Sequence, residues 1–190
     1  MRIVAGTFRG RPLVAPKGQS TRPTADRARQ AIFNVLEHAA WSPGIDGRRV
    51  IDAFAGSGAL GFEALSRGAA TCLFIDRAET ARGAIDANAA ALGVADRIRI
   101  DRRDALTLGP RPAAEAPFDL AFLDPPYGQA LGEAAAARLA AGGWLAEGAV
   151  VVLERGAGDG APVPGGFERL DERTWGAARV TFLRPTAAWR

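Results

Sequence analysis

From residue 49 onward, short apolar runs alternate with alanine-rich stretches along most of the chain. The apolar runs fit strands near 49-54, 71-76, 97-100, 118-123 and 149-154, and most of the stretches between them have helical spacing. Strands separated by helices pair in parallel, since each crossover returns the chain to the same end of the sheet. The pattern therefore predicts an α/β fold built on a doubly wound, mostly parallel sheet.

The two ends of the chain depart from this alternation. Residues 167-185 follow a loop rich in glycine and proline and contain no helical stretch, which predicts an antiparallel hairpin at one edge of the sheet. Near the start, two short extended runs predict a small β-hairpin, and an amphipathic helix follows from about 25 to 40. We expect residues 1-42 to form a basic arm and helix packed on the body, and 43-190 to form one globular domain.

Composition excludes several classes of protein. The chain has one cysteine and one histidine, so an internal disulfide or a four-ligand zinc site cannot form, and no metal is expected. The N-terminus lacks the apolar segment of a secretory signal, and no later stretch reaches eighteen uninterrupted apolar residues. These features predict a cytoplasmic protein without a membrane partner.

Charge is concentrated at the N-terminus. The net charge of the whole chain is only +3, but residues 1-29 hold seven basic residues and one aspartate. Such an asymmetry is typical of an arm that faces nucleic acid on a neutral or acidic body, although a solvated basic face would have the same composition. The candidate phosphate contacts are Arg9, Arg11, Arg22, Arg27 and Arg29.

A glycine-rich loop follows the first predicted strand. Gly56, Gly58 and Gly61 satisfy the pattern G-x-G-x-x-G and open a helix, as nucleoside-binding loops do. Asp76 ends the next strand, eighteen residues after Gly58, where a ligand of the ribose diol is expected. The loop therefore predicts a nucleotide-type cofactor, with a nicotinamide dinucleotide as one possibility.

Acidic residues at the strand ends favour a cationic cofactor. Asp52 lies at the mouth of the glycine loop, where a carboxylate would repel a pyrophosphate. S-adenosylmethionine carries a sulfonium and an ammonium and no phosphate, and Asp104 could accept a hydrogen bond from its adenine amine. Three solvated strand-end acids are the alternative, but their placement at three successive strand ends favours a binding site.

The fourth predicted strand ends in the tetrad Asp124-Pro125-Pro126-Tyr127. An exocyclic amine on a nucleobase is a poor nucleophile because its lone pair is delocalised into the ring. Asp124 and the carbonyl of Pro125 could accept its two N–H groups and free that lone pair, the prolines would stiffen the loop, and Tyr127 could stack on the base. The alternative is an ordinary turn with Tyr127 packed on the core, but strands one and four of a doubly wound sheet are neighbours, so both loops should face one crevice.

At these residues the chain resembles the class I S-adenosylmethionine-dependent methyltransferases, whose fold is Rossmann-like. Arg9-Gly10-Arg11, Thr21-Arg22-Pro23-Thr24, the glycine loop, Asn88 and the tetrad resemble, in that order, the bacterial 16S ribosomal RNA guanine-N2 methyltransferase family (the RsmD type). The resemblance implies that the tetrad holds a guanine and that the basic arm meets 16S ribosomal RNA in an assembling 30S subunit. Implied cofactor contacts are Asp52, Phe54, Ala55, Gly56, Ser57, Gly58, Asp76, Arg77, Asp104 and Ala105.

Other functions share parts of this pattern. A DNA adenine-N6 or cytosine-N4 methyltransferase can carry the same tetrad, but 190 residues leave no room for the usual target-recognition domain. A protein glutamine methyltransferase would generally have asparagine in place of Asp124, and a nicotinamide-dependent oxidoreductase would not explain the tetrad. A ribosome-assembly factor that has lost the chemistry is a further alternative. We expect a monomeric enzyme.

Overall fold

The computed structural model describes residues 1–16, 23–126, 130–160 and 162–189, with the side chains of 23–25 outside the description. Seven strands form a single sheet in the order β3-β2-β1-β4-β5-β7-β6. The strands are β1 (Arg49–Ala53), β2 (Thr71–Ile75), β3 (Ile98–Asp101), β4 (Phe118–Leu123), β5 (Leu145–Gly156), β6 (Phe167–Trp175) and β7 (Ala178–Pro185). The α-helices are α1 (Pro23–His38), α2 (Ala59–Ser66), α3 (Glu79–Leu92) and α4 (Leu131–Ala141).

The first five strands pair in parallel, and the last two form an antiparallel hairpin that joins the sheet through β7 and β5. Strand order reverses between β1 and β4, and this reversal opens a crevice beyond their carboxyl ends. The predicted doubly wound sheet with an added C-terminal hairpin is confirmed.

Helices cover both faces of the sheet, and its central strands are therefore buried on both sides. Apolar residues of α1, α2 and α3 pack in one core with Val50, Phe74 and Phe122. Apolar residues of α4 pack in a second core with Ile51 and Leu123 on the other face. The crevice at the reversal point is therefore bounded by α1 on one side of the sheet and by α4 on the other.

Two predicted boundaries are displaced. Helix α1 spans Pro23–His38 in place of 25 to 40, because proline at the first helical position loses no hydrogen bond. Strand β5 begins at Leu145, four residues earlier than predicted, because its register with β4 shifts between Phe118 and Leu120 and lets the strand continue through Gly148.

The N-terminal arm is compact and joined to the body. Its hairpin is small, with one isolated bridge between Arg2 and Pro12. Ile3 and Leu13 are buried in the same core as α1 and the sheet. Among the described helices none is long and apolar enough to cross a membrane.

Candidate active site

A cleft of about 670 Å³ lies at the carboxyl edge of the sheet, over the point where strand order reverses. The loops that follow β1, β2 and β4 line it, together with α1 and the turn between β6 and β7. Four carboxylates face this one cavity, those of Asp52, Asp76, Asp104 and Asp124, with Glu154 of β5 beside them. The structure thus brings together the acids that the sequence placed at separate strand ends.

The glycine loop after β1 makes a sharp turn into α2. Gly58 has a φ of 76°, and a Cβ there would lie 2.7 Å from the ring of Phe62, so the position requires glycine. Phe54 also has a positive φ, 64°, which is costly for a bulky residue and typical of functional loops. The sequence pattern does not reveal this strained backbone, which places Phe54 in the lining of the cleft.

The backbone amides of the three motif glycines already donate hydrogen bonds to acceptors within the protein. Gly56 donates to Asp76 (2.9 Å), Gly61 donates to Asp52 (2.9 Å), and Gly58 donates to the Ala55 carbonyl (2.7 Å). In a dinucleotide site such a loop offers its amides and the helix N-terminus to a pyrophosphate. Here two of the acceptors are carboxylates, which disfavours a phosphate ligand.

Asp52 is a buried carboxylate that is 2% exposed. Burial raises its pKa well above the usual range, the Gly61 hydrogen bond lowers it, and the charges of Asp124 and Asp76 raise it further. In the described ranges no arginine or lysine forms an ion pair with Asp52. A positively charged ligand would relieve this repulsion, so the donor set fits a cation.

Asp76 and Asp104 are fixed by backbone amides at the ends of β2 and β3. Asp76 accepts from Gly56 (2.9 Å) and from Ala78 (2.8 Å), which closes a turn into α3. Asp104 accepts from Leu106 (2.9 Å) at the start of a short 3-10 turn and pairs with Arg77 (3.2 Å). Both carboxylates keep acceptor capacity toward the cleft, as hydroxyl or amine donors of a nucleoside require.

Asp124 follows the last residue of β4 and is exposed on its cleft side. Desolvation by the surrounding protein and the charge of Glu154 raise its pKa to about 8. Pro125 is buried behind it and Pro126 is exposed. A carboxyl poised near neutral pH in a cleft is typical of a group that exchanges protons or hydrogen bonds with a substrate.

Most of the remaining predicted cofactor residues lie at the cleft. Phe54, Ala55, Gly56, Ser57, Arg77 and Ala105 line the cleft, whereas Gly58 is buried below it and shapes the loop. Tyr127 lies outside the described residues, as does Arg22.

The predicted arm arginines divide into two groups. Arg9, Arg11 and Arg27 are exposed, although Arg11 also donates to the Ala91 carbonyl. Arg29 is only 4% exposed, bonded to Asp26 and the Arg2 carbonyl and close to Glu63. Its place inside the arm argues against the predicted phosphate contact, because the guanidinium is already neutralised and enclosed.

Two residues that join the arm to the site had no assigned role in the sequence. Asn88 is 1% exposed and bonds to both backbone groups of Val14 and to the Ser57 carbonyl in the glycine loop (3.0 Å). Glu63 is fully buried and accepts from the amides of Val4 (2.8 Å) and Ala5 (3.0 Å). The position of Glu63 within the apolar run of α2 could have indicated a buried role for it. Asn88 was noted in the sequence only as part of the family resemblance.

Comparison with known proteins gives a consistent result. The sequence model of the family described as conserved hypothetical protein 95 matches residues 1–184. The chain is 35% identical to ribosomal RNA small subunit methyltransferase D of Escherichia coli K12 over 177 residues, which is 93% of this chain and 85% of that one. It is 33% identical to the Haemophilus influenzae protein of the same name over 93% of this chain and 89% of that one.

The fold also matches a solved structure over nearly its whole length. The Escherichia coli protein yhhF superposes with a TM-score of 0.83 and 32% identity, covering 98% of each chain. These matches confirm the family resemblance that the sequence motifs predicted.

Proposed function

The chain belongs to the family described as conserved hypothetical protein 95, and from that premise we propose that it methylates the N2 amine of a guanine in 16S ribosomal RNA, with S-adenosylmethionine as donor. The names of the Escherichia coli and Haemophilus influenzae relatives support ribosomal RNA as the substrate class. One observation carries the proposal: a cleft suited to a cationic donor opens directly onto the acceptor groups at the tip of β4.

The donor half of the cleft fits S-adenosylmethionine, which supplies an electrophilic methyl group on a sulfonium. Asp76 would accept from the ribose hydroxyls and Asp104 from the adenine amine, since both are held by backbone amides at neighbouring strand ends. Asp52 and the loop around Gly56 would hold the amino-acid end. Asp52 lacks an ion-pair partner among the described residues and its pKa is raised by burial and by neighbouring carboxylates, so a cationic donor would stabilise its ionised form, whereas a dinucleotide pyrophosphate would not.

The acceptor half would make the amine reactive. The ionised Asp124 carboxylate would accept one N–H, and the Pro125 carbonyl would accept the other, so that the nitrogen lone pair no longer delocalises into the ring. As the new nitrogen–carbon bond forms and the carbon–sulfur bond breaks, the nitrogen gains positive charge and its two protons become acidic; one is lost and the other stays in the methylated product. Asp124, with a pKa of about 8, is suited to stabilise that charge and to take the proton.

The arm would carry the RNA contacts. We propose phosphate contacts for Arg9, Arg11 and Arg27, which are exposed, and the prediction stands for Arg22. Among the described residues Val14 and Val163 are the large apolar side chains classed as exposed, which leaves little apolar surface for self-association. This supports a monomer. That it acts in the cytoplasm on an assembling 30S subunit is part of the proposal.

Labelled methyl transfer to undermethylated 30S particles tests the proposal, followed by mass spectrometry of the released nucleosides. We expect the label in N2-methylguanosine of 16S ribosomal RNA. Asp124→Ala should bind the donor nearly as well as the wild type, measured by thermal shift, and transfer methyl ~100-fold more slowly or worse, the scale for losing a positioned acceptor.

Three results would contradict the proposal. Label in methylated adenine or cytosine would refute guanine N2 as the acceptor, and transfer to duplex DNA in preference to 30S particles would refute the RNA substrate. Donor binding without transfer to any 30S preparation would favour a non-catalytic assembly factor.

A further inference from the structure

The turn between β6 and β7 forms a wall of the cleft. Strand β6 ends at Trp175 and β7 begins at Ala178, which pair across a two-residue turn. Gly176, with a φ of 60°, occupies the first turn position, where tight hairpins favour glycine. Trp175, Ala177 and Ala178 line the same cavity as Asp124, so the hairpin does more than extend the edge of the sheet.

The strand register places Trp175 and Asp124 on the same face of the sheet. Trp175 pairs with Ala178, and Ala178 pairs with Gly156 of β5. Paired residues share a face, and so do residues two apart on one strand, so Glu154 lies on the face of Gly156. The pairing of Leu123 with Leu153 continues by one step to Asp124 and Glu154, whose charges interact. This is the face that α1 covers.

Trp175 is held firmly in this position. Its ring is half-buried and packs against the core formed by α1 and the sheet. The turn is fixed to the end of β5 by a hydrogen bond from the Ala157 amide to the Ala177 carbonyl (2.8 Å) and by Arg179, which donates to the Asp159 carbonyl (2.8 Å). A ring ordered before binding loses little entropy when a ligand stacks on it.

Trp175 lies on the acceptor side of the cleft. The residues proposed for the donor follow β1, β2 and β3, whereas β7 lies on the other side of β4, two strands away. Trp175 ends β6, one strand beyond β7, so three strand spacings, about 14 Å, separate its backbone from that of Asp124 and leave room for a base between the two side chains. At the positions paired with Trp175 the side chains are small, Ala178 and then Gly156, so neither covers the indole ring.

We propose that the indole ring of Trp175 stacks on the base that receives the methyl group and holds its amine at Asp124. A base turned out of an RNA stack loses its stacking partners, and an aromatic side chain in the receiving pocket restores part of that energy. The sequence assigned stacking to Tyr127 alone; a base has two faces, and Trp175 would cover one of them. The inference rests on the proposed function and adds a binding residue from the opposite end of the chain.

Three substitutions separate stacking from packing. Trp175→Ala removes the ring and its packing, Trp175→Leu keeps an apolar group against the core, and Trp175→Phe keeps an aromatic face. With undermethylated 30S particles as substrate, we expect kcat/KM to fall ~10- to 100-fold in the alanine and leucine variants, the scale of one base–aromatic stack. The phenylalanine variant should recover most of the loss, and the affinity for S-adenosylmethionine should stay within ~2-fold of the wild type in all three.

The outcomes distinguish this inference from the proposed function. Wild-type activity in the folded leucine variant, or a phenylalanine variant as impaired as the leucine one, would overturn stacking while leaving the methyltransferase intact. Equal weakening of donor binding and transfer would assign Trp175 to the donor site and also overturn it. If the wild type transfers no methyl to 30S particles, the proposed function fails and this inference fails with it.

Discussion

The titration of Asp124 predicts how methyl transfer depends on pH. Only the ionised carboxylate can accept a charge-assisted hydrogen bond from the substrate amine and take the released proton, and the pKa of Asp124 is raised to about 8. Because the folded pKa is raised, the protonated form persists through neutral pH and only about a tenth of the molecules are ionised at about pH 7. We therefore expect kcat/KM for 30S particles to rise about 10-fold between about pH 7 and pH 9, with an apparent pKa of about 8 for the free enzyme.

Two variants assign that rise to one group. Asp124→Asn keeps an acceptor oxygen but cannot titrate, so its lower rate should lose the rise, whereas any titration of the RNA would remain. Glu154→Gln removes the neighbouring charge that raises the pKa of Asp124, so the rise should move to lower pH. The assay is initial-rate methyl transfer at saturating donor and limiting 30S particles. A flat profile in the wild type, or an unchanged rise in Asp124→Asn, would refute the reasoning.

Three further predictions concern the donor site, the arm and the RNA. Asp76→Ala removes the acceptor held at the end of β2 and should raise the dissociation constant of S-adenosylmethionine ~10-fold or more by calorimetry; an unchanged constant would exclude it as a ligand. Asn88→Ala removes both hydrogen bonds to the backbone of Val14 and should lower the free energy of unfolding by about 2–4 kcal/mol, measured by denaturant titration. A loss below ~1 kcal/mol would show that Asn88 does not hold the arm on the body. Arg9→Glu should raise the KM for 30S particles and flatten its logarithmic salt dependence by about 1, while the same change at exposed Arg138 on α4 serves as the control and should do neither.

Local sequence patterns were sufficient where the physical cause is local. The apolar runs at β1, β2 and β4 identified the buried parallel strands, and the glycines of the loop identified its tight turn. Acids that follow successive parallel strands must meet at one edge of the sheet, so Asp52, Asp76, Asp104 and Asp124 could be grouped from the sequence.

Predictions were less accurate where distant segments decide a residue's environment. Arg29 was predicted to contact phosphate because it lies in a basic segment, yet α1 turns it inward toward buried Glu63. The early start of β5 depends on its register with β4, which no local signal reveals. The sequence left Trp175 either as a packing or edge residue or on the RNA side, because it does not show that the hairpin docks on the end of β5.

The amino-acid sequence alone determined the order of strands and helices, the turn chemistry of the glycine loop and the chemical class of the acceptor motif, because each of these depends on neighbours along the chain. The tertiary structure alone decided that Glu154 lies beside Asp124, that Asn88 ties the arm to the loop, and that Trp175 faces the cleft. These contacts join residues brought together by sheet register and helix packing, and their energies depend on burial and distance, which a linear pattern does not contain.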